Sequence, residues 1–256
     1  MTTRLLVCTM LVLAGPTSLI AQAEPAPARC EALEPSADLS SCDFSGRSLA
    51  GVNLNGANLA GAKFESADLR GIQLNGADLR HANLKWANLT RAGLRDADLR
   101  EADLFHSTLD KADMNGARAG KANLFGANLI GANAVGADFT GAYLKDVLME
   151  RIDLTRGSLA DVYMLRGVIT GGRFVNANLA HADLTGAAAE DSDFTGADLS
   201  GTRLTGASLR AAVFRHTRLK GADFSNSDMF NAVVDGVQDV HPSLTTAVAR
   251  TFGFKE

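Results

Sequence analysis

A five-residue unit recurs from Ala37 to Val234 without a single insertion or deletion, and this fixed register constrains the chain more than any other feature. Every fifth residue from Leu39 through Phe44, Leu49 and Leu54 to Met229 and Val234 is a centre, giving 40 consecutive registers. Thirty-seven centres are Leu, Phe, Met, Ile or Val; the exceptions are Ala119, Ala134 and Ala189. The residue two before the centre is Ala in 25 units, with Arg47 the misfit, and the residue two after it is Gly in 18. The unit therefore reads small-polar-large-polar-Gly, as in Ala57-Asn58-Leu59-Ala60-Gly61.

Neither ordinary period accounts for this spacing. A helix needs apolar residues three and four apart, and a half-buried strand needs sustained alternation. Five residues with one alternation and one Gly suit a short extended segment followed by a corner, where Gly at the third turn position supplies the positive φ of a type II turn. The centre and the small residue before it then point inward, and the other three face water.

On units such as Ala67-Asp68-Leu69, Ala77-Asp78-Leu79, Ala87-Asn88-Leu89, Ala97-Asp98-Leu99, Ala127-Asn128-Leu129 and Ala197-Asp198-Leu199, the run resembles the pentapeptide repeat proteins of the A-(D/N)-L-x-x type. The resemblance implies an all-β fold, a right-handed quadrilateral β-helix with four units to a coil. Forty units then make about ten coils, a rod roughly 48 Å long at the spacing of neighbouring strands. Positions 20 apart should stack, and Phe174, Phe194 and Phe214 share one interior column while Phe44 and Phe64 share another. The Ala centres near Phe139 and Phe194 are read as volume compensation around the larger rings.

Residues 1–23 have one charge, Arg4, an apolar core from Leu5 to Ala14, and Ala21-Gln22-Ala23 before Glu24. This is the pattern of a secretory signal peptide, with an apolar core too short for a permanent membrane span; an uncleaved tether is the alternative. Residues 24–36 read as a linker and N-terminal cap leading into the β-helix of 37–234, and 235–256 as a C-terminal cap. In an oxidising compartment, Cys30 and Cys42 are expected to form a disulfide pinning the N-terminal cap, the alternative being two free buried thiols. Pro242 and Ser243 open a short helix whose Leu244, Val248 and Phe252 form one apolar stripe, expected to cover the last coil. In gyrase-protecting members of the family a C-terminal segment also makes the dimer, so the resemblance adds self-association through Leu244, Val248, Phe252 and Phe254.

Chemistry is sparse. The aspartates before the centres recur in nearly every coil and alternate with Asn, which reads as a solvated repeat feature rather than a catalytic pair. His81, His106, His181, His216 and His241 are not spaced to meet, and no metal-ligand, nucleotide-binding or nucleophile motif is present. No enzyme, metal or cofactor is expected. The family's best-known activity is mimicry of duplex DNA to shield gyrase. A rod of this length would imitate roughly 28 charges, whereas the chain without its leader carries 24 Lys and Arg against 29 Asp and Glu.

One outward feature departs from a plain solvated face. The 20-residue stack puts Trp86, Phe105, Phe125, Tyr143 and Tyr163 on one side in successive coils, with Leu165 beside them and Leu148 and Val168 on the adjoining side. Such a patch marks a partner site, unless the rings only pack on neighbouring surface stems. The consensus is also weakest from Tyr143 to Arg173, lost from the outer face while the inner face is kept, as if the surface there had another task. The reading is a non-enzymatic, periplasmic or secreted interaction scaffold that binds an envelope or extracellular protein through this aromatic side. No nucleic acid and no stable membrane insertion after leader removal are expected. The alternatives are a DNA-mimicking gyrase protector and a carbohydrate-binding rod.

Overall fold

The computed structural model describes residues 28–251. The predicted leader, Phe252 and Phe254 lie outside them. Parallel bridges join the residue before each centre to its counterpart 20 residues on, in an unbroken column from Asp38 through Asn58 and Asp78 to Gln238. Three further columns start at Asp43, Ser48 and Asn53. The last ends as two paired strands, β1 (Val213–Arg215) and β2 (Val233–Asp235), with Val213 opposite Val233. The coil therefore has four walls, numbered here from the Asp38 column.

One unit shows why five residues suffice. Asn58 N–H donates to Ala37 of the previous coil, while Leu59 and Gly61 N–H donate to Asp78 and Arg80 of the next. Ala62 N–H closes the corner on the Leu59 carbonyl. Only Ala60 N–H lacks a main-chain acceptor, and the Asn58 side-chain oxygen takes it at 3.2 Å. The same bond recurs down the rod, for example from Asp138 to Thr140 and from Asp193 to Thr195, both 2.9 Å. The Asp and Asn column, expected to be merely solvated, thus caps the one amide that the coil leaves over. Where the cap residue is Gln73 or Gly93, Asn55 and Asn75 of the preceding coil accept from Asn75 and Arg95 N–H instead.

All 40 residues two after a centre, Ser41 to Gly236, have positive φ between 51° and 71°. Twenty-two are not Gly, Ala211 among them, although this conformation costs an L-residue roughly 1–2 kcal/mol. The corner's backbone bonds outweigh that preference, so Gly marks the corner without being required at it. Long corner side chains lie on the Gly of the next coil: a Cβ on Gly126 would sit 2.5 Å from the His106 ring.

The interior is one continuous apolar column of centres and small residues. Phe44 and Phe64 stack at 5.2 Å, and Phe174, Phe194 and Phe214 follow at 5.1 and 5.2 Å. Arg47, the misfit, leaves the interior at the open first coil, lies over the Phe44 ring and reaches Glu31 at 3.6 Å.

Both ends are covered. A single 3-10 turn, Ala28–Glu31, brings Cys30 over Cys42, with Cα atoms 5.7 Å apart, inside the span that a disulfide bridges. At the other end the helix α1, Pro242–Thr251, seats Leu244 and Ala247 against the last coil, and Ser243 Oγ accepts the otherwise free Phe224 N–H at 2.9 Å. Leu244 is only 3% exposed, so it serves the cap and is not available to a second copy without opening that cap.

Candidate partner-binding wall

The second wall carries the six residues singled out from sequence, and the structure brings them together. Trp86 meets Phe105 edge-on at 5.4 Å. From there Phe105, Phe125, Tyr143 and Tyr163 stack nearly parallel at 5.4, 6.1 and 5.3 Å, with interplanar angles of 8°, 14° and 10°. The five rings form one ladder along the rod, drifting across the wall because Trp86 stands at the corner, the phenylalanines after the centre and the tyrosines before it. Leu165 lies beside Tyr163, partly buried. Trp86, Tyr143 and Tyr163 are 50, 40 and 37% exposed; Phe105 and Phe125, between them, are half-buried.

Polar groups frame the ladder. The His106 ring packs edge-on against Phe105 and Phe125 at 4.4 and 5.5 Å, and Lys145 holds its ammonium 5.8 Å from the Phe125 centroid. Lys85 pairs with Asp103 at 3.1 Å. Arg166 makes two 2.8 Å bonds to Asp146, and its hydrogen bonding holds that carboxyl below the usual range. Around the corner Leu148 and Val168 are bridged on the third wall and widen the apolar surface.

This geometry has a local cost. Tyr143, Leu148, Tyr163 and Val168 occupy the cap position, so the amides of Lys145, Glu150, Leu165 and Thr170 receive no side-chain acceptor from it. The bridged pairs Tyr143–Tyr163 and Leu148–Val168 offset the loss through cross-strand contact.

The interior changes in the same stretch, which corrects the expectation that only the outer face departs from consensus. Val147, Ile152 and Val162 enlarge the small column, and Gly157, Gly167 and Gly172 shrink it. A Cβ on Gly167 would lie 2.6 Å from Met164, and one on Gly172 2.7 Å from the Phe174 ring and 2.8 Å from the Ile169 carbonyl. Weak consensus from 143 to 173 is therefore partly a repacked core.

Among the described residues no cluster of three or more His, Cys, Asp or Glu could hold a metal ion, and no helix is long and apolar enough to cross a membrane. The family model for pentapeptide repeats matches in eight copies between residues 37 and 238, leaving 119–120 and 160–172 unmatched although the bridges there keep register. Among solved structures, HetL of the cyanobacterium Nostoc sp. strain PCC 7120, a pentapeptide repeat protein involved in regulating heterocyst differentiation, is 33% identical with a TM-score of 0.59. The match covers 76% of this chain and 90% of HetL. QnrB1, a plasmid-mediated fluoroquinolone resistance protein, matches in a trypsin-treated variant form at 17% identity and TM-score 0.37, over 86% of this chain and 98% of that one. A pentapeptide repeat protein from the Arabidopsis thaliana thylakoid lumen matches at 30% identity and TM-score 0.28, over 43% of this chain and 69% of its own. No functionally curated protein matches significantly. With the family model spanning most of the chain, and HetL alike in sequence and shape, the protein belongs to the pentapeptide repeat family.

Proposed function

We propose that this chain is an exported, non-enzymatic scaffold, a right-handed rod of about ten coils whose second wall docks a protein partner. The five-ring ladder carries the reading. A polar rim around exposed Trp and Tyr is the composition of a binding hot spot. Four cap positions given over to Tyr, Leu and Val fit a surface kept for contact rather than for local stability. The Cys30–Cys42 bridge supports the same reading, since structural disulfides form and persist chiefly in oxidising compartments.

Ring orientation argues against the carbohydrate reading. A sugar stacks on a free ring face, and here Phe125 and Tyr143 each have both faces covered by neighbouring rings, so that only the ends of the ladder, Trp86 and Tyr163, offer one. DNA mimicry finds no support on these walls: Lys85, Lys145 and Arg166 interrupt the second, and the likeness to QnrB1 is too low to carry function.

Replacing the exposed ends of the ladder, Trp86→Ser and Tyr163→Ser, tests the reading. Far-ultraviolet circular dichroism should be unchanged and co-purification of an envelope partner lost. Partner retention by the folded double variant would exclude the wall.

A further inference from the structure

We propose that a cleft on the fourth wall, floored by Gly93, binds an oxyanion, the carboxylate or phosphate group of a small acidic ligand. Gly93 is the only Gly among the 40 residues that directly precede a centre, so at this one rung the outer wall has no side chain. The gap opens a cleft of about 330 Å³, at the small end of the range for ligand sites and suited to one charged group. Arg91 and Lys111 stand on its rim at the same corner of successive coils, exposed, and neither makes an ion pair among the described residues. Arg95, also on the rim, spends its Nε on Asp113.

The floor adds a neutral donor. Asn75 Oδ1 accepts from Arg95 N–H at 3.0 Å, which leaves Nδ2 as the amide's donor beside Gly93, 3.2 Å from where a Cβ would lie. The cleft thus gathers two unpaired cations, a third held on one side and an amide NH₂, against one carboxylate that already has its partner. That set complements an oxyanion through charge-assisted hydrogen bonds. Because the cations are exposed, binding should weaken with salt. The cleft lies opposite the aromatic wall and does not depend on its function.

Titration calorimetry of the full chain, separately with inorganic phosphate and with a galacturonate oligomer, tests this. Two variants serve as controls that should fold: R91Q/K111Q, changed only at exposed corners, and Gly93→Asp, which installs the residue found more often than any other at this position of the unit. Saturable binding of either probe, weakened roughly tenfold or more in both variants and by added NaCl, is the expected result. Response to phosphate alone would assign a phosphate source, and response to the oligomer alone a uronate. No saturable binding of either probe below about 10 mM, or binding unaltered in both variants, would overturn the proposal.

Discussion

At the scale of single residues, the cap position decides most. Asp193→Ala removes the acceptor for Thr195 N–H and should cost about 0.5–1.5 kcal/mol in urea denaturation, whereas Asp193→Asn keeps it and should be nearly neutral. The same position sets the acid limit. Hydrogen bonding from Arg70 lowers Asp68 to about 2, and bonds from Arg100 and the Ser225 hydroxyl lower Asp98 and Asp223. These carboxyls titrate lower in the folded chain than in the unfolded one, so the folded state binds fewer protons. Their stabilisation is complete above the ordinary carboxylate range and lost as pH falls through the folded values. Thermal midpoints should hold above about pH 5 and fall between about pH 4 and 2; a midpoint constant down to pH 2 would deny these charge-assisted bonds any part in stability. Inside the rod, Gly172→Ala should cost about 1–3 kcal/mol, because its Cβ meets Phe174 and the Ile169 carbonyl.

At the scale of elements, each end of the rod is closed by a different device. Replacing Cys30 and Cys42 by Ser should lower stability by about 2–3 kcal/mol and speed amide exchange in residues 37–56 while leaving 180–230 unchanged. The coil, its four walls, the phenylalanine stacks and α1 were legible in sequence, because a register that never slips fixes which residues lie above one another. The Trp86 to Tyr163 ladder followed from the same arithmetic. Other features were not legible. That Asp138 caps Thr140 depends on which amide the coil leaves unpaired, and that Gly172 makes room for Phe174 depends on rotamers, neither of which a period encodes. The seating of Ala247 beside Leu244 was missed because a small residue leaves little mark in an apolar stripe. The cleft at Gly93 had one visible signal, a Gly at a position where other units carry side chains.

At the scale of the molecule, the rod is a rigid ruler. Bridges at every step of 20 hold side chains from distant stretches in line, so a surface spanning residues 86 to 165 needs no long loop to assemble it. Interior and exterior can then vary separately, provided the register holds. The four uncapped units at and beside the ladder lie where the core is also retuned, and a partner there would cover units whose own side chains leave an amide without an acceptor. The most direct measurement is site-specific crosslinking in intact cells, with a photoreactive residue at position 86 and, as control, at position 175 on the opposite wall. A discrete protein adduct is expected from position 86 that disappears with Tyr163→Ser, and none from position 175. Equal adducts from both walls, or none from position 86, would contradict partner docking on the second wall.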